Sequence, residues 1–144
     1  MRAILCRRHG DYRDLRVEQL PDPSPGGGEA LIEVRAAGVS FANILAIAGR
    51  HQNRADPPFV PGTEVAGIVR AVGPGVAGLV PGQRVMAAMP NGAFASLAVA
   101  RADLTVPIPD ALPFAEATLF PTIYGTAYAA LAFEARIEPG ETLL

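Results

Sequence analysis

Glu64 is the residue of this sequence whose surroundings most clearly call for a chemical explanation. It follows the turn Pro61-Gly62 and opens a run of Val, Ile, Ala and Gly that is typical of a strand buried on both faces. A carboxylate at the mouth of such a strand needs partners, because an unpaired buried charge is costly. We therefore expect Glu64 to be either a structural hydrogen-bond hub or part of a functional site.

The composition excludes several kinds of chemistry. The 144 residues contain no lysine, since all twelve positive side chains are arginine, and this removes Schiff-base catalysis and a phosphate-loop lysine. The single cysteine, Cys6, excludes an intrachain disulfide and a multi-cysteine zinc site and favours a cytoplasmic protein. The net charge of −2 leaves no excess of positive charge of the kind that binds nucleic acid. No apolar run approaches the roughly 18 residues of a membrane span.

The elements that must position these residues are mostly short strands. Half of the residues are hydrophobic, and the 15 glycines and 14 prolines are spread along the chain as turn residues. Residues 29–36 alternate with a period of two, which predicts a strand with one wet face in an antiparallel sheet. Further strands are predicted near residues 3–6, 15–20, 64–73, 83–89, 92–99 and 104–108. This spacing favours one domain built as a small barrel or sandwich.

Helices are predicted in two parts of the chain. Ser40 is placed to cap a short helix over residues 41–48 that Gly49 ends, and the polar residues 50–56 form a surface loop. A helix start near Asp110 precedes a mainly apolar helix over residues 122–133. A last strand begins at Glu141 without a partner of its own, as expected of a fragment.

These motifs, in this order, resemble the medium-chain dehydrogenase/reductase superfamily, and within it the zinc-independent NADPH:quinone oxidoreductases. The resemblance runs over essentially the whole chain and is carried by residues 1–3, 25–34, 37–43, 57–67, 81–85 and 125–128. It implies a mainly β fold with short helices. Residues 1–120 would form a GroES-like, partly open β-barrel, the catalytic domain. Residues 121–144 would be the connecting helix and first strand of a Rossmann domain whose glycine fingerprint would follow Leu144.

The departures from the family pattern bear on zinc. Zinc-dependent relatives have a cysteine where Ser40 stands and a histidine where Thr63 stands, beside a glutamate that matches Glu64. Neutral hydroxyl groups are poor zinc ligands compared with thiolate and imidazole. We therefore expect no catalytic zinc, and the resemblance gives Glu64 the structural role of holding the site loop.

The resemblance also implies which residues meet the cofactor and the substrate. Ser40, Asn43 and Thr126 match positions on the nicotinamide side of NADPH in similar enzymes. Their alternative roles are a helix cap, a helix-surface amide and a hydroxyl bonded to its own helix. His51 lies in a loop that often contacts substrate and could protonate a product oxygen, although a loop histidine can also be merely solvated.

Three aromatic residues near these positions are expected to have packing roles. Phe41 is predicted to be core rather than a stacking platform. Tyr124 and Tyr128 lie at helical spacing and are predicted to pack rather than to act as acids.

The function implied is NADPH-dependent reduction of a quinone or an α,β-unsaturated carbonyl by hydride transfer, with the substrate-side half supplied by this chain. Alone, the chain is expected to be inactive and to bind NADPH weakly or not at all; the full-length enzyme is expected to be a homodimer. One alternative is an enoyl-thioester reductase of the same superfamily, although no tyrosine lies between Phe41 and Glu64 to serve as its acid. A second is a free-standing GroES-like binding module, and zinc alcohol dehydrogenase is a distant third.

Overall fold

The computed structural model describes residues 1–143, whose strands form two antiparallel sheets. The smaller sheet pairs β1 (Arg2–Leu5) with β2 (Arg16–Gln19). The larger sheet has the strand order β6-β3-β4-β5-β7. Its strands are β3 (Glu29–Ala37), β4 (Glu64–Val72), β5 (Arg84–Ala88), β6 (Leu97–Arg101) and β7 (Thr105–Pro107).

Helices occupy the connection between β3 and β4 and the last third of the chain. They are α1 (Phe41–Ile47), α2 (Phe114–Ala117) and α3 (Gly125–Tyr128). Two π-helical turns, Phe120–Tyr124 and Ala129–Glu134, flank α3, so that residues 120–134 form one continuous helix, called the long helix below. None of the helices among the described residues is long and apolar enough to cross a membrane.

The larger sheet curls into half of a barrel. The register between β3 and β4 shifts twice, at Leu31/Ile32 and at Val34/Ala36. Such irregularities increase the local twist and bend of a strand. The concave side is filled mainly by small and β-branched residues, namely Ala30, Ile32, Val65, Val69, Leu79, Val85, Ala87, Met89, Ala93, Ala98 and Ala100. The predicted mainly β, partly open barrel with short helices is confirmed.

The alternation predicted for β3 is confirmed from Glu29 to Val34, whereas beyond the register shift at Val34/Ala36 it is Ala37 rather than Ala36 that packs against the core. Ala30 and Ile32 are fully buried in the core. Glu33 lies on the opposite face, where its carboxylate pairs with Arg35 and, at 2.8 Å, with Arg70 of β4. Burial of one face thus fixes the register of the strand, because a slip by one residue would expose the core positions.

Other sequence expectations need correction. β6 begins at Leu97 rather than Gly92, because residues 92–96 form a loop that meets β1 through the single bridge between Ala3 and Ala95. The helix expected near Asp110 begins at Phe114. Residues 141–143 form no strand, and the end of the strand predicted there, Leu144, lies outside the described residues.

The aromatic residues are far more exposed than the sequence suggests. Phe41 is 71% exposed, so the prediction that it belongs to the core is wrong. Tyr124 stacks on Phe120 with ring centroids 4.8 Å apart, and Tyr128 meets Phe133 edge to face at 5.6 Å. All four rings remain exposed. Within residues 1–143, the long helix therefore presents an apolar side to solvent.

Candidate functional site

The end of β3 and the start of β4 bring the predicted site residues together. The Gly38 amide donates a hydrogen bond to the backbone carbonyl oxygen of Glu64, at 3.1 Å. Ser40 follows two residues later and opens α1, which contains Asn43. Pairing of the two strands therefore places the first turn of α1 beside the start of β4.

Ser40 is the N-cap of α1, as predicted, and Asn43 completes the cap. The Asn43 Oδ1 atom accepts a 2.8 Å hydrogen bond from the Ser40 amide and lies 3.3 Å from the Ser40 hydroxyl, which donates to it. Asn43 is only 2% exposed. The alternative role of a helix-surface amide is therefore wrong, and the side chain instead fixes the conformation of Ser40.

Glu64 is 3% exposed, and its carboxylate lies against the α-carbon of Gly38. Among residues 1–143, its Oε1 atom has no hydrogen-bond partner. A hub would need donors at this position, so the hydrogen bonds predicted for a Glu64 hub are not found at Oε1. Glu64 is an orphaned buried acceptor, which costs free energy rather than supplying it.

Replacement of Glu64 by glutamine is expected to raise the free energy of unfolding of this chain by about 1 kcal/mol, because a neutral amide costs less to bury than a carboxylate. The hub predicted from the sequence would give the opposite sign. Urea denaturation of Glu64→Gln beside the unsubstituted chain measures the difference. A loss of stability would show that the carboxylate has donors in solution.

A small cavity lies beside α1. Its volume is about 140 Å³, and its lining consists of Ala42, Ala46, His51, Asn53, Thr63, Met89 and Pro90. The short side chains of Ala42 and Ala46 on α1 leave room for the cavity. The loop of residues 50–56 contributes His51 and Asn53 to its lining, and Thr63 contributes from the turn before β4. His51 and Thr63, twelve residues apart in sequence, thus share one cavity.

The imidazole of His51 is held by Asn53 alone among residues 1–143. Its Nδ1 atom accepts from the Asn53 amide at 3.1 Å, which assigns the proton of the neutral ring to Nε2. The Asn53 carbonyl oxygen lies 3.3 Å from the same Nδ1 and can accept from it when the ring is protonated. Asn53 can therefore hold the His51 ring through Nδ1 in both its neutral and its protonated form, and in both forms Nε2 remains a hydrogen-bond donor.

Thr126 stands apart from these residues. It lies on the long helix and is exposed. Its backbone carbonyl accepts from the Ala129 amide, and within residues 1–143 its hydroxyl has no hydrogen bond to Ser40, His51 or Glu64. The structure therefore does not join Thr126 to the site, and its contact with a cofactor stays a prediction.

Sequence reasoning missed Gly38, Asn53 and Met89. Only the pairing of β3 with β4 reveals the contact between Gly38 and Glu64. The spacing His51-Gln52-Asn53 was visible, since a side chain can bond the backbone two residues on. Among the described residues, no three His, Cys, Asp or Glu side chains lie close enough to hold a metal ion, and the absence of catalytic zinc stays a prediction from Ser40 and Thr63.

The chain is similar in sequence and in structure to known proteins. Residues 26–110 match the family described as the alcohol dehydrogenase GroES-like domain. The crystal structure of the human synaptic vesicle membrane protein VAT-1 homolog-like protein is 36% identical, with a TM-score of 0.93 over 97% of this chain and 45% of that chain. The quinone oxidoreductase of Thermus thermophilus, solved also as its complex with NADPH, is 34% identical, with a TM-score of 0.84 over 98% of this chain and 43% of that one.

A relative of a different kind is the pikromycin polyketide synthase component PikAII of Streptomyces venezuelae. It is 40% identical over 135 residues, which are 94% of this chain and 3% of that protein. The chain spans 34% to 39% of the length of the first curated relatives that it matches.

Proposed function

Since the chain belongs to the family of alcohol dehydrogenase GroES-like domains, we propose that it is the substrate-side half of an oxidoreductase that reduces a quinone or an α,β-unsaturated carbonyl with NADPH and without zinc. The observation that carries the proposal is the cavity shared by His51 and Thr63. Hydrogen-bond donors aimed at a developing oxyanion can replace a metal ion in stabilising it. The match to the Thermus quinone oxidoreductase supports the reaction class.

His51 has the central chemical role in this proposal. Its Nε2–H donates to the substrate oxygen on which negative charge develops, while Asn53 holds the opposite nitrogen. For proton transfer the ring first takes up a proton from solvent at Nδ1, where the Asn53 carbonyl oxygen accepts the new hydrogen bond. Nε2 then delivers its proton to the substrate oxygen, which completes the reduction and leaves the neutral ring with its proton on Nδ1. The hydroxyl group of Thr63 supplies a second donor, beside the His51 Nε2–H, to the same cavity.

The residues available for NADPH fit it in part. NADPH, when bound, supplies the hydride. The Ser40 hydroxyl donates to Asn43, which leaves its lone pairs free to accept from the carboxamide of the nicotinamide. Asn43 itself is buried and engaged, so we assign it to positioning Ser40 rather than to cofactor contact. Thr126 and the apolar side of the long helix are free to meet a cofactor-binding half.

A second candidate function is reduction of the double bond of an enoyl thioester. The match to a polyketide synthase component favours it, whereas the lack of a tyrosine between Phe41 and Glu64 counts against it. Quinone and enoyl thioester place an oxygen beside a conjugated double bond, so the same His51 donor could serve both. The homodimer of the complete enzyme and its cytoplasmic location stay predictions.

A calorimetric titration with NADPH tests whether this chain supplies the substrate side of the site and leaves most of the cofactor binding to the other half. We expect the 144-residue chain to bind NADPH with a dissociation constant weaker than about 100 μM, because few of the phosphate-binding groups of such enzymes lie in this half. A chimera of residues 1–144 with the remaining part of the Thermus quinone oxidoreductase should bind at least tenfold more tightly. Submicromolar binding by the chain alone would contradict the proposal.

A further inference from the structure

The loop that carries His51 is anchored at its two ends. Residues 50–56 contain no helix or strand. At the start of the loop, the amides of Arg50 and His51 both donate to the Leu45 carbonyl oxygen, at 2.8 and 3.2 Å. Just beyond the loop, Phe59 exchanges two backbone hydrogen bonds with Cys6, at 2.8 and 3.1 Å. The middle of the loop needs a separate anchor if Asn53 is to hold the His51 ring in one position.

Residues 6–10, which follow β1, form a fixed platform under this loop. Cys6 is fully buried with Ile47 and Phe59. Burial raises the pKa of the Cys6 thiol, and its Sγ donates to the Arg8 carbonyl oxygen at 3.2 Å. The Gly10 amide donates to the Ile47 carbonyl oxygen at 3.0 Å. The platform is therefore tied both to α1 and to the far end of the loop.

His9 projects from this platform to the middle of the loop. Its Nε2 accepts from the Arg54 Nε at 3.3 Å, and its Nδ1 lies 3.4 Å from the Ile47 carbonyl oxygen. The ring centroid is 6.0 Å from that of Phe59. A Cβ atom at Gly49 would lie 2.8 Å from the His9 Cγ, so the glycine that ends α1 also makes room for the ring.

The two partners of His9 fix the position of its proton. A guanidinium can only donate, and a carbonyl oxygen can only accept. With these two partners, the neutral His9 ring carries its proton on Nδ1 and turns the lone pair of Nε2 towards Arg54. His51 is predicted to be the opposite tautomer, because its Nδ1 accepts from Asn53.

We propose that His9 and Arg54 are positioning residues, a tautomer-specific clamp that holds the loop so that His51 stays at the cavity with Thr63 and Met89. Among residues 1–143, the Arg54–His9 hydrogen bond is the only side-chain bond between residues 50–56 and the rest of the chain. The consequence for catalysis rests on the proposed function, since it requires His51 to act in that cavity.

Long-range ¹H–¹⁵N NMR of the 144-residue chain tests the tautomers directly. The sequence has only two histidines, so both can be assigned. At a pH where both rings are neutral, the clamp requires the Nδ1–H form at His9, and the hydrogen bond from the Asn53 amide requires the Nε2–H form at His51. The Nε2–H form at His9 would overturn the proposal, because Arg54 could then find no acceptor there.

Substitutions test whether the clamp orders the loop. In Arg54→Met, the amide of Asn53 is expected to exchange its hydrogen about tenfold faster, as suits loss of one hydrogen bond. Arg50→Met is the matched control, because its exposed side chain makes no hydrogen bond among residues 1–143, and the exchange rate should stay within twofold. The Val65 amide of β4 reports global stability and should not change in either variant.

A conservative variant separates the hydrogen bond from simple ring packing. In His9→Gln the amide oxygen can still accept from Arg54, whereas His9→Leu keeps only apolar contact. Slow exchange at Asn53 should be retained in the first and lost in the second. Equal exchange in both would overturn the clamp. Because neither measurement uses cofactor or substrate, failure of the clamp is distinguishable from failure of the reductase proposal.

Discussion

Substitution of Gly38 by alanine is expected to lower the free energy of unfolding by about 3 kcal/mol, the upper end of the cost of overpacking. The φ angle of Gly38 lies outside the left-handed region, so the cost is one of space. An added Cβ would lie well inside contact distance of the Glu64 Oε2 atom and 3.3 Å from the Glu64 Cβ. The Gly38 backbone is held by its hydrogen bond to the Glu64 carbonyl oxygen, and the Glu64 side chain, only 3% exposed, has to shift within a packed interior to make room.

The controls for this prediction separate the clash from general effects of alanine. Gly10→Ala should change stability by no more than about 0.5 kcal/mol, because nothing lies within 4 Å of a Cβ built there. In a Glu64→Ala background, Gly38→Ala should lose most of its cost, since the carboxylate is gone. Urea denaturation of the four chains forms a double-mutant cycle. Additive costs would show that the carboxylate does not lie against Gly38 in solution.

Replacement of His51 by leucine is expected to lower kcat about 100-fold in the chimera with the Thermus cofactor-binding half, at the lower end of what general acid catalysis contributes. The leucine keeps an apolar side chain at the cavity and removes both ring nitrogens. KM should change much less, because the hydrogen bond from Nε2 strengthens as charge develops on the substrate oxygen.

The exposed neighbour Gln52 provides the matched control for His51. Gln52→Leu places the same apolar residue in the same loop, and it should leave kcat within twofold. Steady-state oxidation of NADPH at saturating quinone measures both variants. A kcat for His51→Leu within threefold of the unsubstituted chimera would remove His51 from the mechanism.

Local patterns in the sequence predict the fold well and the cavity only in outline. The period of two from Glu29 to Val34 of β3 and the N-cap position of Ser40 are set by neighbours in sequence, and both appear as predicted. The exposure of Phe41 was missed, because an apolar residue at a helix start is identical in pattern whether or not the rest of the fold covers it. Such coverage is decided by packing over long distances in the chain.

The largest differences between the predictions from sequence and the structure involve contacts between residues that are far apart in the chain. Arg54 and His9 are 45 positions apart, and no spacing rule connects them. Glu64 shows the same limit in another way. The sequence explains why a buried carboxylate needs donors, yet only the structure shows that Oε1 has none among residues 1–143. The rule that buried charges are partnered describes most proteins, and the exceptions concentrate at functional sites.

The most direct test of the proposed function is turnover by the chimera of residues 1–144 with the remaining part of the Thermus quinone oxidoreductase. We expect oxidation of NADPH that depends on an added quinone or enone, on the order of one turnover per second or faster, and that is unchanged by a zinc chelator. Crotonyl thioester as sole acceptor tests the second candidate function. A folded chimera that binds NADPH but transfers hydride to neither quinone nor enone would contradict the account.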